Sequence, residues 1–570
     1  MTSTTKGNIF KPKIAVMVFV VTVTMFAMAR FYDETMPRMF VPNAQYVRNG
    51  SLQETSTTFV TSKRVGFTLT NSKSGVTGNI LFTSEEQFIS NYCARVSFRD
   101  TLHATSGKFS KILDVKPGNG QGELLVSLQT YTRGNETKTV GGDLIILWAI
   151  QKYGGARVAG HVTDEGNGRY SGTLHVTWSG PTDIHVKIGA AMENTCRRLM
   201  SMEMYGNSVF SLKEGWGIRG FYQSGSQKVS TPCGANSYIF GHSFVCNFTE
   251  LNDDQSWYCG FPVGLNCTDI YSFGTGSIDS TWMDPSEQVF TPSVYGFEEK
   301  VTINVKGSFS KPKVTCKYRP AKESWLEIRN STSGYWQNKQ WRFMNCYSNV
   351  AHTFQGYRQC LSGKTIIFFG DSTVRQYVEY TLFDILGLSQ KSLKDARGEE
   401  RTYHSREWYE SNGARVTYLK HAMPFHNPDL PPAGITSYAT ELSTLATSDI
   451  NDTGLVLMFN YHVHLQAYPL LAYRERVAKL VTSLRFFLER KPRAKIFIKS
   501  PHFCVWDIRW YDHWLSTMYI NILFEEFGDL MERVIYLDVW AISLAHNNVD
   551  LHPQGATFDS QIQQFMSYIC

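Results

Sequence analysis

"TIIFFGDSTVRQYVEYTLFDIL", Thr365 to Leu386, decides how the C-terminal half of this 570-residue chain is read. An apolar, β-branched run stops at Gly370, an acid and a hydroxyl follow, and then Val374, Tyr377, Val378, Leu382 and Ile385 fall on one helical face. The pattern is a buried strand, a tight turn and a helix. Ser372 then stands at the carboxyl end of a strand and at the positive end of a helix, where backbone N–H groups lack partners. Two readings of the turn stay open. Asp371 or Ser372 caps the helix, or Ser372 is presented as a nucleophile whose oxyanion meets the serine's own backbone N–H.

The same rhythm continues downstream. "LVLMF", "KIFIK" and "VIYLDV" are short apolar runs, and between two of them Val477, Leu480, Val481, Leu484, Phe487 and Leu488 share a helical face. Strands alternating with helices predict a three-layer α/β domain over residues 336–570, a parallel sheet covered on both sides. Ligands in such sheets sit at the carboxyl ends of the strands.

A nucleophilic serine needs a base. "NNVDLHPQG", Asn547 to Gly555, follows the last apolar strand and offers His552, with Asp550 two positions before it. His552 could take the Ser372 proton while Asp550 orients the other ring nitrogen; alternatively it is an ordinary surface-loop histidine. Asn460, at the end of "LVLMFN", is either a second oxyanion donor beside the Ser372 amide or a turn residue ending the strand. In "YHVHL", His462 and His464 would share one face of an extended segment, but no third ligand is placed, so structural histidines are preferred and no metal site is assigned.

Upstream the pattern is β. "VGFTLT", "ARVSFRD", "ELLVSLQTY", "GTLHVTW" and "DIHVKI" are short strand-like runs between turn residues, which argues for an immunoglobulin-like β-sandwich from about Ser62 to Ile188. A Cys-rich, aromatic segment follows, and the two together form a region over 62–310. Residues 311–335, with Pro312 and Pro320, read as a basic linker.

There are 11 cysteines (Cys93, Cys196, Cys233, Cys246, Cys259, Cys267, Cys316, Cys346, Cys360, Cys504 and Cys570) and no CxxC pair, so disulfides in an oxidising compartment are favoured over zinc. The odd number leaves one thiol over, and the pairing is not legible. N-glycosylation sequons start at Asn135, Asn247, Asn266, Asn330 and Asn451. The uncharged run Ile14 to Ala29 is preceded by Lys6, Lys11 and Lys13 and followed by Arg30, which predicts a cytoplasmic tail (1–13), a signal-anchor helix (14–29), a stem (30–61) and a lumenal remainder. A cleaved signal peptide, giving a secreted protein, is the alternative. The run is short for a bilayer and suits a Golgi or early secretory membrane. A composition 42% hydrophobic and 19% charged excludes a disordered chain, and a net charge of +6 without a Lys/Arg block argues against nucleic-acid binding.

GDS after a strand near the start of an α/β domain, with Asp and His near its end, is the order of the SGNH/GDSL hydrolases. "WRFMNCYSNVAHTFQGYRQCLSGKTIIFFGDSTVRQ" resembles the opening of a PC-esterase domain, and "NNVDLHPQGATFDSQIQQFMSYIC" resembles the end of the neurexophilin and PC-esterase domain (NXPE) proteins. "GIRGFYQSGSQKVSTPCG" and the cysteines after it resemble that family's neurexophilin part. The resemblance implies Ser372 as nucleophile, His552 as base and Asp550 as third member, although SGNH enzymes place the acid three residues before the histidine, where this chain has Val549. It implies O-acetyl transfer to, or ester hydrolysis on, glycan hydroxyls, sialylated or mucin-type chains among them. Acetyl-CoA would be an acyl donor, no cofactor would stay bound, and a glycan or glycoprotein would be the acceptor. No D-x-D motif occurs, which disfavours a metal-dependent sugar-nucleotide transferase. The rival is a neurexophilin-like binding protein for a cell-surface receptor, with a catalytically weak C-terminal scaffold.

Overall fold

The computed structural model describes residues 45–48, 85–93, 102–205, 215–239, 241–278, 298–307, 311–330, 332–388, 408–420, 437–504 and 512–570. The expected anchor, and the runs "VGFTLT" and "ARVSFRD", lie outside the described residues. Among the described residues no helix is long and apolar enough to cross a membrane.

The first described element is a short strand, β1 (Gln45–Arg48), and a helix, Glu85–Tyr92, follows it. Then come β2 (Thr105–Pro117), β3 (Glu123–Thr132), β4 (Leu144–Gln151), β5 (Arg157–Ala159), β6 (His161–Asp164), β7 (Arg169–His175) and β8 (Ser179–Ala190). Alternate residues of β3 point inward: Leu124, Val126 and Leu128 are buried, as period-2 patterning requires. They meet Leu147 and Ala149 of β4 and Ile184 and Val186 of β8 in one core. The result is a sandwich of two antiparallel sheets. One has the order β2-β3-β7-β6.

The second sheet borrows strands from far downstream. After helix Met192–Tyr205 come β9 (Gly215–Ser224), β10 (Gln227–Gly234), β11 (Phe244–Asn247), β12 (Tyr258–Gly260), β13 (Ile270–Ile278) and β14 (Glu298–Lys306). A helix, Ala321–Asn330, then leads to β15 (Gly334–Gln337) and β16 (Gln340–Phe343). The order is β14-β8-β4-β5-β15-β16, so the segment entering the C-terminal domain closes one edge of the upstream sandwich. A third sheet, β1-β11-β12-β10-β9-β13, holds the Cys-rich segment. Cys233–Cys259 and Cys246–Cys267 staple it, and Cys93–Cys196 ties the two upstream helices together.

Residues 311–335 differ from the linker expected. Trp325, on helix Ala321–Asn330, is fully buried, and its indole Nε1 donates to the Val534 carbonyl at 2.7 Å. Cys316–Cys346 clips the segment to the next domain. Burying one tryptophan turned a Pro-punctuated stretch into part of the C-terminal core.

That domain contains helix Phe354–Leu361, β17 (Thr365–Gly370), helix Ser372–Glu379 (the serine helix), β18 (Trp408–Ser411), β19 (Ala414–Lys420) and helix Tyr438–Thr447. It continues with β20 (Leu455–Phe459), helix Leu470–Arg490, β21 (Lys495–Lys499), helix His513–Glu526, β22 (Val534–Leu537), and helices Val539–Ala545 and Gly555–Ile569. The sheet order is β18-β19-β17-β20-β21-β22, parallel from β19 to β22 with β18 an antiparallel edge. Ile366 and Phe368 of β17 pack into one core and Ile367 and Phe369 into the other, so helices cover both faces. The chain places β18 and β19 on one side of β17 and then crosses to place β20, β21 and β22 on the other, which makes the carboxyl end of β17 the topological switch point where α/β sheets hold ligands.

Cys360 and Cys570 form the fifth disulfide and join the helix before β17 to the last residue of the chain. Cys504 is buried and lies outside the five pairs, so it is withdrawn from the disulfide candidates. The Cys360–Cys570 loop spans 210 residues. Cys570→Ser should therefore cost about 2–5 kcal/mol in denaturant unfolding of the oxidised protein; an unchanged midpoint would contradict that.

Candidate active site

Ser372 is the first residue of its helix, immediately after β17. Asp371 does the capping. Its Oδ1 accepts from the Thr373 backbone N–H at 2.8 Å and from the Thr373 hydroxyl at 2.7 Å, and its Oδ2 accepts from the Val463 N–H at 3.1 Å. The Tyr418 hydroxyl donates to the carbonyls of Gly370 and Asp371, at 3.1 and 3.0 Å, and steadies the turn from β19. With Asp371 committed to the cap, the Ser372 side chain is left for other work, and its backbone N–H has no acceptor within the helix.

Ser372 and His552 come together. His552 Nε2 lies 2.8 Å from Ser372 Oγ across 180 positions of sequence. The histidine loop is fixed from three sides. Asn548 Nδ2 donates to the carbonyls of Phe503 and Asp550, Gln376 Nε2 of the serine helix donates to the Pro553 carbonyl, and Leu551 packs with Val463 and Cys504. Burial depresses the protonation midpoint of His552 below its ordinary value. Asp371 opposes that shift, while Arg375 and Lys499 reinforce it. A neutral imidazole near pH 7 is the form that can accept the serine proton.

Asp550 is placed differently from expectation. Its Oδ1 accepts from the His552 backbone N–H at 3.1 Å. Two residues of separation favour this local turn, in which the carboxylate reaches the main chain two positions on. Asp550 shapes the loop and adds negative potential at the ring. Asp550→Ala should accordingly cost about tenfold in turnover, far less than loss of His552. The acid limb of the pH–rate profile should lie below pH 6.5, because activity needs neutral His552 and falls as pH drops through its depressed midpoint. A loss with Asp550→Ala as large as with His552→Ala would reinstate it as the ring's partner.

Asn460 is fully buried at the end of β20, and its Nδ2 donates to the Lys499 carbonyl at 3.0 Å. It ties two strand ends together, the turn role rather than that of an open oxyanion donor. His462 and His464 do not share an extended face, because Val463–Ala467 coils into a short 3₁₀ turn. His462 is buried against Ser516 and Gln466, and burial pushes it down to about 3, so it stays neutral. Among the described residues no three metal-ligating side chains converge.

Sequence reasoning missed Lys499. It ends β21, fully buried, and its Nζ donates to Thr373 Oγ1 at 3.1 Å. The signal was present: a lysine closes the apolar run "KIFIK" at the end of the strand where ligands bind. Among the sequons, Asn135, Asn266 and Asn451 are exposed, whereas Asn247 is half-buried within β11.

Residues 341–570 match the family described as NXPE family member 4-like, C-terminal domain. Over these residues the chain is similar to the NXPE family. Among solved structures, a protein described as a GDSL-like lipase from Parabacteroides merdae ATCC 43184 aligns at 12% identity with a TM-score of 0.22, over 37% of this chain and 97% of its own. Another aligns at 17% identity with a TM-score of 0.21 over the same shares. The NXPE match begins within β16, so it takes in β17, the serine helix and the histidine loop, and leaves the sandwich and Cys-rich sheet outside it.

Proposed function

We propose that the C-terminal domain is a serine-dependent acyltransferase, or the related esterase, acting on glycan hydroxyls in the secretory pathway. The observation that supports it most is the 2.8 Å approach of Ser372 Oγ to His552 Nε2 at the switch point of a parallel sheet. In the first half-reaction Ser372 Oγ attacks the acyl carbonyl and its proton passes to His552 Nε2. The oxyanion forms at the start of the serine helix; the bond to the leaving group then breaks, and the leaving group takes the proton from His552. In the second, a sugar hydroxyl or water attacks the acyl-serine, gives its proton to His552, and Ser372 is released with a proton restored. Acetyl-CoA fits as donor, with CoA thiol as leaving group.

The glycan acceptor rests on the lumenal reading, which the disulfides and exposed sequons support. Incubating the full chain in detergent with acetyl-CoA and a glycan panel should give acetylated sugars, read by mass spectrometry, and none with Ser372→Ala. Products that form equally with the variant would refute the reading. For compartment and orientation, endoglycosidase should shift the mass through Asn135, Asn266 and Asn451; a protease-exposed, unshifted chain in sealed microsomes would contradict the type II lumenal placement.

A further inference from the structure

Lys499 is an anomaly by ordinary electrostatics. A fully buried ammonium has three donors to satisfy, and among the described residues its Nζ donates to one acceptor, Thr373 Oγ1 at 3.1 Å. It also lies under the first turn of a helix, where the dipole is already positive and a cation is disfavoured. Counter-charge comes from Asp371, which holds Thr373 from the other side through the same hydroxyl. If balancing Asp371 were all that Lys499 did, a neutral pair would serve the fold as well, since buried ion pairs are costly to desolvate.

We infer that Lys499 is a positioning residue for Ser372, holding a fixed positive charge beneath the serine helix, through Thr373, that favours the negative charge formed on the acyl oxygen. The inference rests on the acyl-serine reading above. A preorganised charge in a dry site acts without reorganising at the moment of reaction, which is why its effect there exceeds its effect in water. Thr373 is the residue after the nucleophile, so the ammonium is bonded to the side chain that follows Ser372 in the first turn of the serine helix. The carbonyl of Lys499 is itself fixed by Asn460, which locks the end of β21 against β20. Burial pulls the ammonium's midpoint down to about 8, with Asp371 opposing, so Lys499 is predominantly charged at neutral pH. The titratable groups that share its field are Asp371, His462, His502 and His552, with His464 acting on Asp371 and Arg375 on His552.

The test uses the full chain and the rate of Ser372 acylation by p-nitrophenyl acetate, followed by intact mass. Lys499→Met should slow acylation about 10- to 100-fold. It should also move the acid limb to higher pH, because removing a cation eases protonation of His552. As that variant leaves Asp371 buried without its counter-ion and could fail to fold, the deciding variant is Asp371→Asn/Lys499→Met, which removes both charges and keeps a capping side chain at 371. If Lys499 contributes positive charge to the reaction, the folded double variant stays slow. Wild-type acylation in the double variant would reduce Lys499 to a counter-ion and overturn the inference. Absence of acylation in the wild-type protein would instead count against the acyl-serine reading itself, so the two failures are distinguishable.

Discussion

Ser372→Ala should abolish formation of the acyl-enzyme and lower turnover by roughly 10⁴-fold or more, with the melting temperature almost unchanged. The side chain is half-buried and contributes one hydrogen bond, to His552, so its removal costs only about 1 kcal/mol of stability. His552→Ala should cost nearly as much activity, and the double variant should be no worse than either alone, because nucleophile and base act as one unit. Intact-mass detection of the acyl-serine, together with single-turnover rates, checks all three variants. Additive losses, or an acyl adduct persisting in Ser372→Ala, would mean the 2.8 Å contact is structural and the chemistry lies elsewhere.

Asp371→Ala is the substitution with the largest expected effect on the fold. It removes acceptors for the Thr373 N–H and hydroxyl and for the Val463 N–H, and it strips the counter-charge from buried Lys499. Breaking a buried charge pair from one side costs about 3–5 kcal/mol, and loss of the N-cap adds about 1 kcal/mol. Asp371→Asn keeps a capping oxygen and should recover part of the cap term. Denaturant unfolding measures both. A cost below 1 kcal/mol for the alanine variant would show that water replaces the carboxylate and that the site is wetter than its burial implies. Burial pushes the carboxyl up, but His464, Lys499, the Thr373 hydrogen bond and His462 together hold it below its usual range. The contribution is therefore present above the ordinary Asp midpoint and lost as pH falls through the depressed one.

The sequence by itself determined the elements of the C-terminal domain and the nucleophile's place in it. Apolar runs bounded by turn residues mark buried strands whatever their partners, so "TIIFF", "LVLMF", "KIFIK" and "VIYL" were legible as β17, β20, β21 and β22. The helical face from Val374 to Ile385 was legible because burial repeats at a helical period, and all five residues of that stripe are buried. The order Ser before His pointed to the pair, although nothing local forced residues 372 and 552 together. Tertiary structure decided the rest. Only the strand order put β17 at the switch point, and only packing brought the histidine loop to the serine helix through Gln376 and Leu551. Capping by Asp371 freed Ser372, a competition between neighbouring side chains for the same backbone donors that spacing cannot resolve. Asp550 and Asn460 were read for chemistry because their residue types allow it. Each is held by a main-chain partner, His552 N–H and the Lys499 carbonyl, and main-chain partners leave no mark in the sequence. Lys499 escaped notice for the converse reason: a lysine at a strand end reads as solvated until burial on all sides and one hydroxyl contact show that its charge is kept inside.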